Sequence, residues 1–187
     1  MEERLKYIFN NTNDWLKFAE AKNGILLAAL GASLFSIIDK SKDVLFSNNV
    51  SIVNNIPIIK FDINFFISLY LVFLMIFLVM AICVVLISYL PQTKQIFKVK
   101  DGKNANDNSL FYGDILKYNA IEYLQFIEPL KADFSKSELD YANQIIMNSH
   151  IAYRKYKYFE LALFLILSGI VTLPGLFLIR KYLNPNK

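Results

Sequence analysis

The stretch SKSELDYANQIIMNSHIAYRKYKYFELALFLILSGIVTLPGLFLIR, residues 135–180, decides the fold. Ser135-Lys136-Ser137-Glu138 is a capping-box pattern: the serine oxygen takes a free backbone N–H of the first turn, and the glutamate reaches back. After it, Leu139, Ala142, Ile145, Ile146, Ser149, Tyr153 and Tyr156 recur at helical spacing. No proline or glycine interrupts the pattern before Gly169. At Leu161 it gives way to an uncharged apolar run, Leu161 to Ile179, bounded by Glu160 and Arg180. A helix continuous from Lys136 to Arg180 is on the order of 65 Å long. The spacing therefore predicts one rod that joins a polar segment to a membrane span and can carry an event in the cytosol into the bilayer.

The rest of the chain agrees with a membrane setting. Its 187 residues are 55% hydrophobic and only 19% charged, which is too apolar for an ordinary soluble domain. Ile63 to Leu90 is the strongest membrane signal: uncharged, apolar all round and closed by Pro91. Gly24–Ile38 is short for a span, but a helix starting near Trp15, capped by Asn13 or Asp14, makes up the length. Trp15 then serves as an interfacial anchor, and Lys17, Glu20 and Lys22 as a headgroup collar. On this reading the polar cluster Asn10–Asp14 breaks off a short amphipathic patch, Arg4 to Phe9. Asp39 to Asp62 reads as a polar loop with β-like runs Val44–Phe46, Val50–Val53 and Ile56–Ile59, compatible with a small hairpin. Gln92–Asn108 is basic and loop-like. Leu110–Asp114 reads as an extended piece ending in a glycine turn. Asn119-Ala120-Ile121-Glu122 opens a short helix with Ala120, Tyr123, Leu124 and Ile127 on one face.

The fold class is thus an all-α membrane protein with three transmembrane helices. A small helical cytosolic module lies between the second and third, its last helix continuous with the third span. The segments are an entry helix over 1–23, spans over 24–38, 63–90 and 158–180, an external loop over 39–62, the cytosolic module over 91–157 and an external tail over 181–187. Lysine and arginine are concentrated in the N-terminal and central segments, so both are expected in the cytosol and the C-terminus outside. Pro174-Gly175 leaves a kinked or re-entrant third segment open. Gly24, Ala28, Gly31 and Ala32 give small-residue spacing for span packing in a homo-oligomer.

Catalytic chemistry is absent from the pattern. His150 is the only histidine and Cys83 the only cysteine, so neither a histidine metal cluster nor an intrachain disulfide can be built. No Walker loop, GxGxxG or GxSxG occurs. Glu122, Glu128, Asp133, Glu138 and Asp140 read as solvated charges, and His150 as a surface residue. The chain is not expected to be an enzyme and needs no cofactor. Its central module does combine tyrosines with cations. Tyr112, Tyr118, Tyr123, Tyr153 and Tyr156 can stack on a base, and Lys117, Arg154, Lys155 and Lys157 can meet phosphate. Equally, the tyrosines can pack the module while the cations set topology.

Three stretches carry a family resemblance: Asn108-Ser109-Leu110-Phe111-Tyr112-Gly113-Asp114; Gln144 with Ile151-Ala152-Tyr153-Arg154-Lys155-Tyr156; and Trp15-Leu16-Lys17-Phe18-Ala19-Glu20-Ala21-Lys22-Asn23. In this order they resemble the Pycsar transmembrane effectors of bacterial antiphage defence. The resemblance implies an inner-membrane protein that a cyclic nucleotide from a partner cyclase activates, and that then disrupts membrane integrity in abortive infection. Its shared pattern falls on Glu20, Lys22, Asn23, Asn108, Phe111, Tyr112, Gly113, Gln144 and Lys155, with Gly113 as a turn glycine. Together with the basic and aromatic reading, this makes Lys22, Asn23, Asn108, Tyr112, Gln144, Arg154 and Lys155 the candidate ligand-binding residues. No separate β-roll for a cyclic mononucleotide is evident, so the compact module or a partner protein must sense the nucleotide, which can be a cyclic mono-, di- or oligonucleotide. The expected partners are the bilayer, the nucleotide and further copies of the chain, with no nucleic acid polymer. The alternative is a non-gated accessory or structural membrane subunit that docks a cytosolic protein.

Overall fold

A computed structural model describes residues 1–45, 50–53, 56–59, 63–90, 102–104 and 106–171. Among these described residues five helices and one hairpin follow in chain order: α1 Glu2–Leu45, β1 Val50–Val53, β2 Ile56–Ile59, α2 Ile63–Tyr89, α3 Tyr112–Ile115, α4 Ala120–Ile127 and α5 Lys136–Val171. The chain divides into two compact units, Met1–Ile25 with Ile87–Phe159 and Leu26–Leu86 with Glu160–Lys187. Both α1 and α5 supply residues to each.

The first unit has a core of Leu5 and Ile8 from α1, Ile115 from α3, Tyr123, Leu124 and Ile127 from α4, and Ala142 and Ile145 from α5. Burying each large side chain here contributes about 1.5–3 kcal/mol. The break expected at Asn10–Asp14 does not occur, because α1 runs straight through it. Asparagine and threonine are poor helix formers, at up to about 0.7 kcal/mol per residue, but here their side chains find partners. Asn11 Nδ2 donates to the Leu110 carbonyl at 2.9 Å. Asn148 Nδ2 donates to Asn13 Oδ1 at 2.7 Å, and buried Thr12 donates to the Ile8 carbonyl at 2.9 Å. Tertiary contacts therefore outweigh local preference. Arg4 closes the other end of this packing by donating to the Ile127 carbonyl at the end of α4, 3.0 Å away.

Local chemistry starts α4 and α5 as the sequence predicts. Asn119 and Glu122 form a reciprocal capping box on α4, and Tyr123, Leu124 and Ile127 are the buried face. Ser135 and Glu138 do the same for α5: the Ser135 amide donates to Glu138 at 2.8 Å, and the Glu138 amide donates to Ser135 Oγ at 3.2 Å. Glu138 is not the solvated charge expected of it. It is buried and bonded by Lys131 Nζ at 2.6 Å, which holds its carboxyl below the usual range. α3 replaces the expected extended piece at Leu110–Asp114 with one helical turn, and Gly113 lies inside it.

In the second unit Leu30, Leu78, Ala81, Val85 and Ala162 form the core, with Leu34, Ile82 and Leu165 packed against it. Gly169 allows close packing there: a Cβ at that position would lie 2.8 Å from Leu74 Cδ1, and Tyr70 Oη donates to the Gly169 carbonyl at 2.7 Å. The remaining surface of α2 is apolar, with Phe66, Leu69, Phe73, Ile76, Val79 and Met80 all exposed. A surface of that kind suits hydrocarbon better than water. Among the described residues two helices are long and apolar enough to cross a membrane, within Glu2–Asp39 and over Phe65–Tyr89. α5 is described to Val171, so Pro174-Gly175, Arg180 and the tail lie outside the described residues. Most of the basic segment Gln92–Asn108 lies outside them too.

The 39–62 segment is shorter as a loop than expected, since α1 continues to Leu45 and takes in Val44. The hairpin is present: β1 and β2 pair antiparallel, Val50 with Ile59, Ser51 with Ile58, Ile52 with Pro57 and Val53 with Ile56. It is the described exception to an otherwise helical architecture.

Candidate functional site

Within the first unit, α1 places Trp15, Phe18 and Lys22 on one face, three and four residues apart. α3 brings Tyr112 to Trp15, with ring centroids 5.6 Å apart, and Phe111 lies 6.4 Å from the same indole. α5 adds Tyr156, 6.4 Å from Trp15 and stacked on Tyr112 at 5.1 Å with an 8° interplanar angle. Lys22 Nζ lies over three rings, 4.6 Å from the Phe18 centroid, 5.4 Å from Tyr156 and 5.7 Å from Phe159. No carboxylate among the described residues pairs with it. The Tyr156 hydroxyl is covered and has no hydrogen-bond partner among the described residues. Burial pushes this phenol up, so it stays protonated as a donor.

Gly113 supports this cluster through its lack of a side chain rather than through an unusual backbone angle. A Cβ there would lie 2.6 Å from Phe111 Cε1, and the positive-φ glycine of the described residues is Gly102. The turn-glycine expectation is thereby corrected.

A second group lies beside the first. Lys155 Nζ is 3.2 Å from Glu20 Oε1, donates to the Ser88 carbonyl at 3.4 Å and sits 5.1 Å over the Tyr89 ring. Tyr89 Oη donates to the Glu20 carbonyl at 3.1 Å. Asn23 is fully buried; its Nδ2 donates to the Lys155 carbonyl at 3.3 Å, and its Oδ1 has no partner among the described residues. Glu20 and Asn23, three residues apart on α1, thus meet Lys155, 132 positions beyond Asn23, in one clamp joining α1, the end of α2 and α5. Arg154, next to Lys155, is also buried.

The other candidate residues lie elsewhere in the unit. Asn108 is exposed and shapes a turn: its Oδ1 accepts from the Leu110 amide at 2.9 Å, and its own amide donates to Asp114 at 3.0 Å. Gln144 is exposed on α5, about 15 Å along the axis from Arg154. It lines a concave site of about 440 Å³ with Phe9, Ser137, Asp140 and Tyr141. Lys117 is committed to Asp107 at 2.6 Å and Asp114 at 2.7 Å. Tyr123 is fully buried in the core and donates to the Ser109 carbonyl at 2.7 Å, so it presents no face to a base. Tyr118 donates to Asp107 at 2.9 Å and stacks on Phe126 at 5.1 Å. His150 is half-buried rather than a surface residue, and burial lowers its pKa.

Reading the sequence missed Trp15, Phe18 and Phe159 as members of the cluster. The 15, 18, 22 spacing was the available signal, but a tryptophan just before an apolar run reads first as an interfacial anchor. Among the described residues no group of histidine, cysteine or carboxylate side chains is arranged to hold a metal. No curated protein and no solved structure matches this chain. The family model of the Pycsar effector protein domain, PycTM, matches residues 4–180, and the chain belongs to that family.

Proposed function

We propose that this protein is an inner-membrane effector that a cyclic nucleotide activates and that then disrupts membrane integrity, halting an infected cell. The observation that carries this reading is the family match over residues 4–180, which takes in both helices apolar enough to cross a membrane and the entire aromatic and basic cluster. Family membership implies an antiphage effector signalled by a cyclic nucleotide from a cyclase. The finer steps are our proposal. The spans are 24–38, 63–90 and 158–180, with the N-terminus and the 91–157 module in the cytosol and the C-terminus outside. Three helices enclose too little space for a wide pore, so several copies assemble. Ala28, Gly31 and Ala32 are exposed on α1, and Gly31 has open space where a side chain would be, which supports close helix approach between copies. α1 and α5 both carry cluster residues and both continue as apolar helix, so ligand binding in the first unit acts on the elements that enter the bilayer. The ligand shifts the population only by binding the active arrangement more tightly.

The test is dye leakage from liposomes holding the purified protein, with cyclic mono-, di- and oligonucleotides added one at a time. Leakage with one nucleotide class, and none without it, is the expected result. Correctly oriented protein that stays silent with every nucleotide would overturn gating and leave a non-gated accessory subunit.

A further inference from the structure

We infer that Lys22 and the rings around it form a receptor for a singly charged phosphodiester. No carboxylate among the described residues neutralises the Lys22 ammonium, although it sits against an apolar cluster. Lys22 sits over Phe18, Tyr156 and Phe159, and the nearby carboxylate on α1, Glu20, is taken by Lys155. Two residues apart on a helix, Lys22 and Glu20 point to opposite sides, so they do not neutralise one another. Aromatic faces hold a cation in place without cancelling its charge. They also shield it from water on one side, which strengthens its pull on an incoming anion.

Two features narrow the anion to a phosphodiester. One ammonium matches one negative charge, which is what a phosphodiester carries; a phosphate monoester carries nearly two at neutral pH. The Tyr156 hydroxyl, on a ring that Lys22 covers, is a protonated donor with no partner among the described residues. It is the kind of group that a phosphate oxygen satisfies. The half-buried rings of Trp15 and Tyr112, tilted 58° to one another and in contact with Tyr156, offer an apolar aromatic lining for whatever is attached to that phosphate.

Two molecules present this chemistry at such a position: a cyclic nucleotide and the headgroup of an anionic lipid. The second comes into play because the apolar run of α1 begins at Gly24, two residues beyond Lys22, where lysine and aromatic residues meet headgroups. The nucleotide arm rests on the proposed effector function; the lipid arm does not.

Trp15 is the only tryptophan, so its emission reports on the site in the full-length protein. The purified chain in neutral detergent is titrated with 3′,5′-cyclic mononucleotides and with the matching 5′-monophosphates. In parallel, its micelles are doped with phosphatidylglycerol or with zwitterionic phosphatidylcholine. We expect a saturable change with a cyclic nucleotide or with phosphatidylglycerol, weaker with the monophosphate or phosphatidylcholine. Lys22→Gln should weaken it about tenfold or more, the loss expected for one charge-assisted contact. Lys22→Arg should retain binding within a few-fold, and Tyr156→Phe should weaken it by a few-fold. A response to phosphatidylglycerol alone supports the receptor and assigns its phosphate to lipid. Nucleotide-gated leakage that survives intact in Lys22→Gln would leave the effector function standing and overturn the nucleotide as occupant of this site. Lys22→Gln binding every probe like the wild type, or wild type binding none, would overturn the receptor itself.

Discussion

Lys155 Nζ and Glu20 Oε1 lie 3.2 Å apart, with the lysine side chain almost fully buried and the glutamate half-exposed at 49%. The two partners are therefore not equivalent. Removing the carboxylate leaves a buried ammonium with a long bond to the Ser88 carbonyl and the face of the Tyr89 ring, whereas removing the ammonium leaves a carboxylate that water can solvate. Screening of the exposed partner limits the effect. Glu20→Gln should lower stability by about 1 kcal/mol, or about 2–4 °C in melting temperature for a chain of this size. Lys155→Met, which keeps the volume and removes the charge, should cost less. Glu20→Gln should then cost almost nothing in the Lys155→Met background. Thermal melting of the four proteins in one detergent checks this; an equal cost of Glu20→Gln in both backgrounds would mean that the pair carries no coupling.

Gly113 makes a separable prediction, because its constraint is steric. Gly113→Ala places a methyl against the Phe111 ring; because that ring is 40% exposed and can swing away, the net cost should be about 1 kcal/mol or less, with a change in Trp15 emission as Phe111 moves off the indole. Truncating the obstruction should remove most of the penalty. In a Phe111→Ala background, Gly113→Ala should therefore be close to neutral. A penalty that persists there would point to backbone conformation instead.

What could be read from the sequence was what local chemistry fixes. Ser135 with Glu138, and Asn119 with Glu122, announce helix starts within four residues. The unbroken apolar run from Ile63 needs no partner to be recognised. α1 was harder, because the residues that keep it helical through Asn10–Asp14 bond to Leu110 and Asn148, 99 and 135 positions away. No local pattern carries that information. Lys155 shows the same difficulty at the site: a lysine matching a shared pattern can meet a carboxylate or a ligand, and only the approach of Glu20 tells which group it holds here. Glu138 looked like a surface charge for the same reason, since burial depends on Lys131 and the chain folding over it.

Asp107 gives the fold an acid-sensitive point. The Lys117 ammonium bonded to it, with help from the Asn104 amide, lowers its pKa from an ordinary 3.8 to about 2. The unfolded chain therefore takes up this proton first. The stabilising contribution is complete above the unfolded value and is lost as the pH falls through the folded value, between about pH 4 and pH 2. Asp107→Asn should be less stable than wild type at neutral pH, and the gap between the two melting temperatures should close over that window. A constant gap down to pH 2 would show that Asp107 stabilises the fold by something other than its charge.

Tyr112 and Tyr156 stack nearly parallel, 5.1 Å between centroids, and the two halves of the Tyr156 side chain should behave oppositely. The ring packs against Trp15 and Tyr112 and holds Lys22, so Tyr156→Ala should cost about 2 kcal/mol or more and release the Trp15 emission from its neighbours. The hydroxyl is covered and has no partner among the described residues, and a polar group in that condition costs about 1–3 kcal/mol. Tyr156→Phe removes that cost while keeping the ring. It should melt at the same temperature as wild type or a few degrees higher. A fall in melting temperature would mean that the hydroxyl has a partner in the folded protein. A rise, alongside weaker phosphodiester binding, would identify Tyr156 as a residue kept at the expense of stability for what it binds.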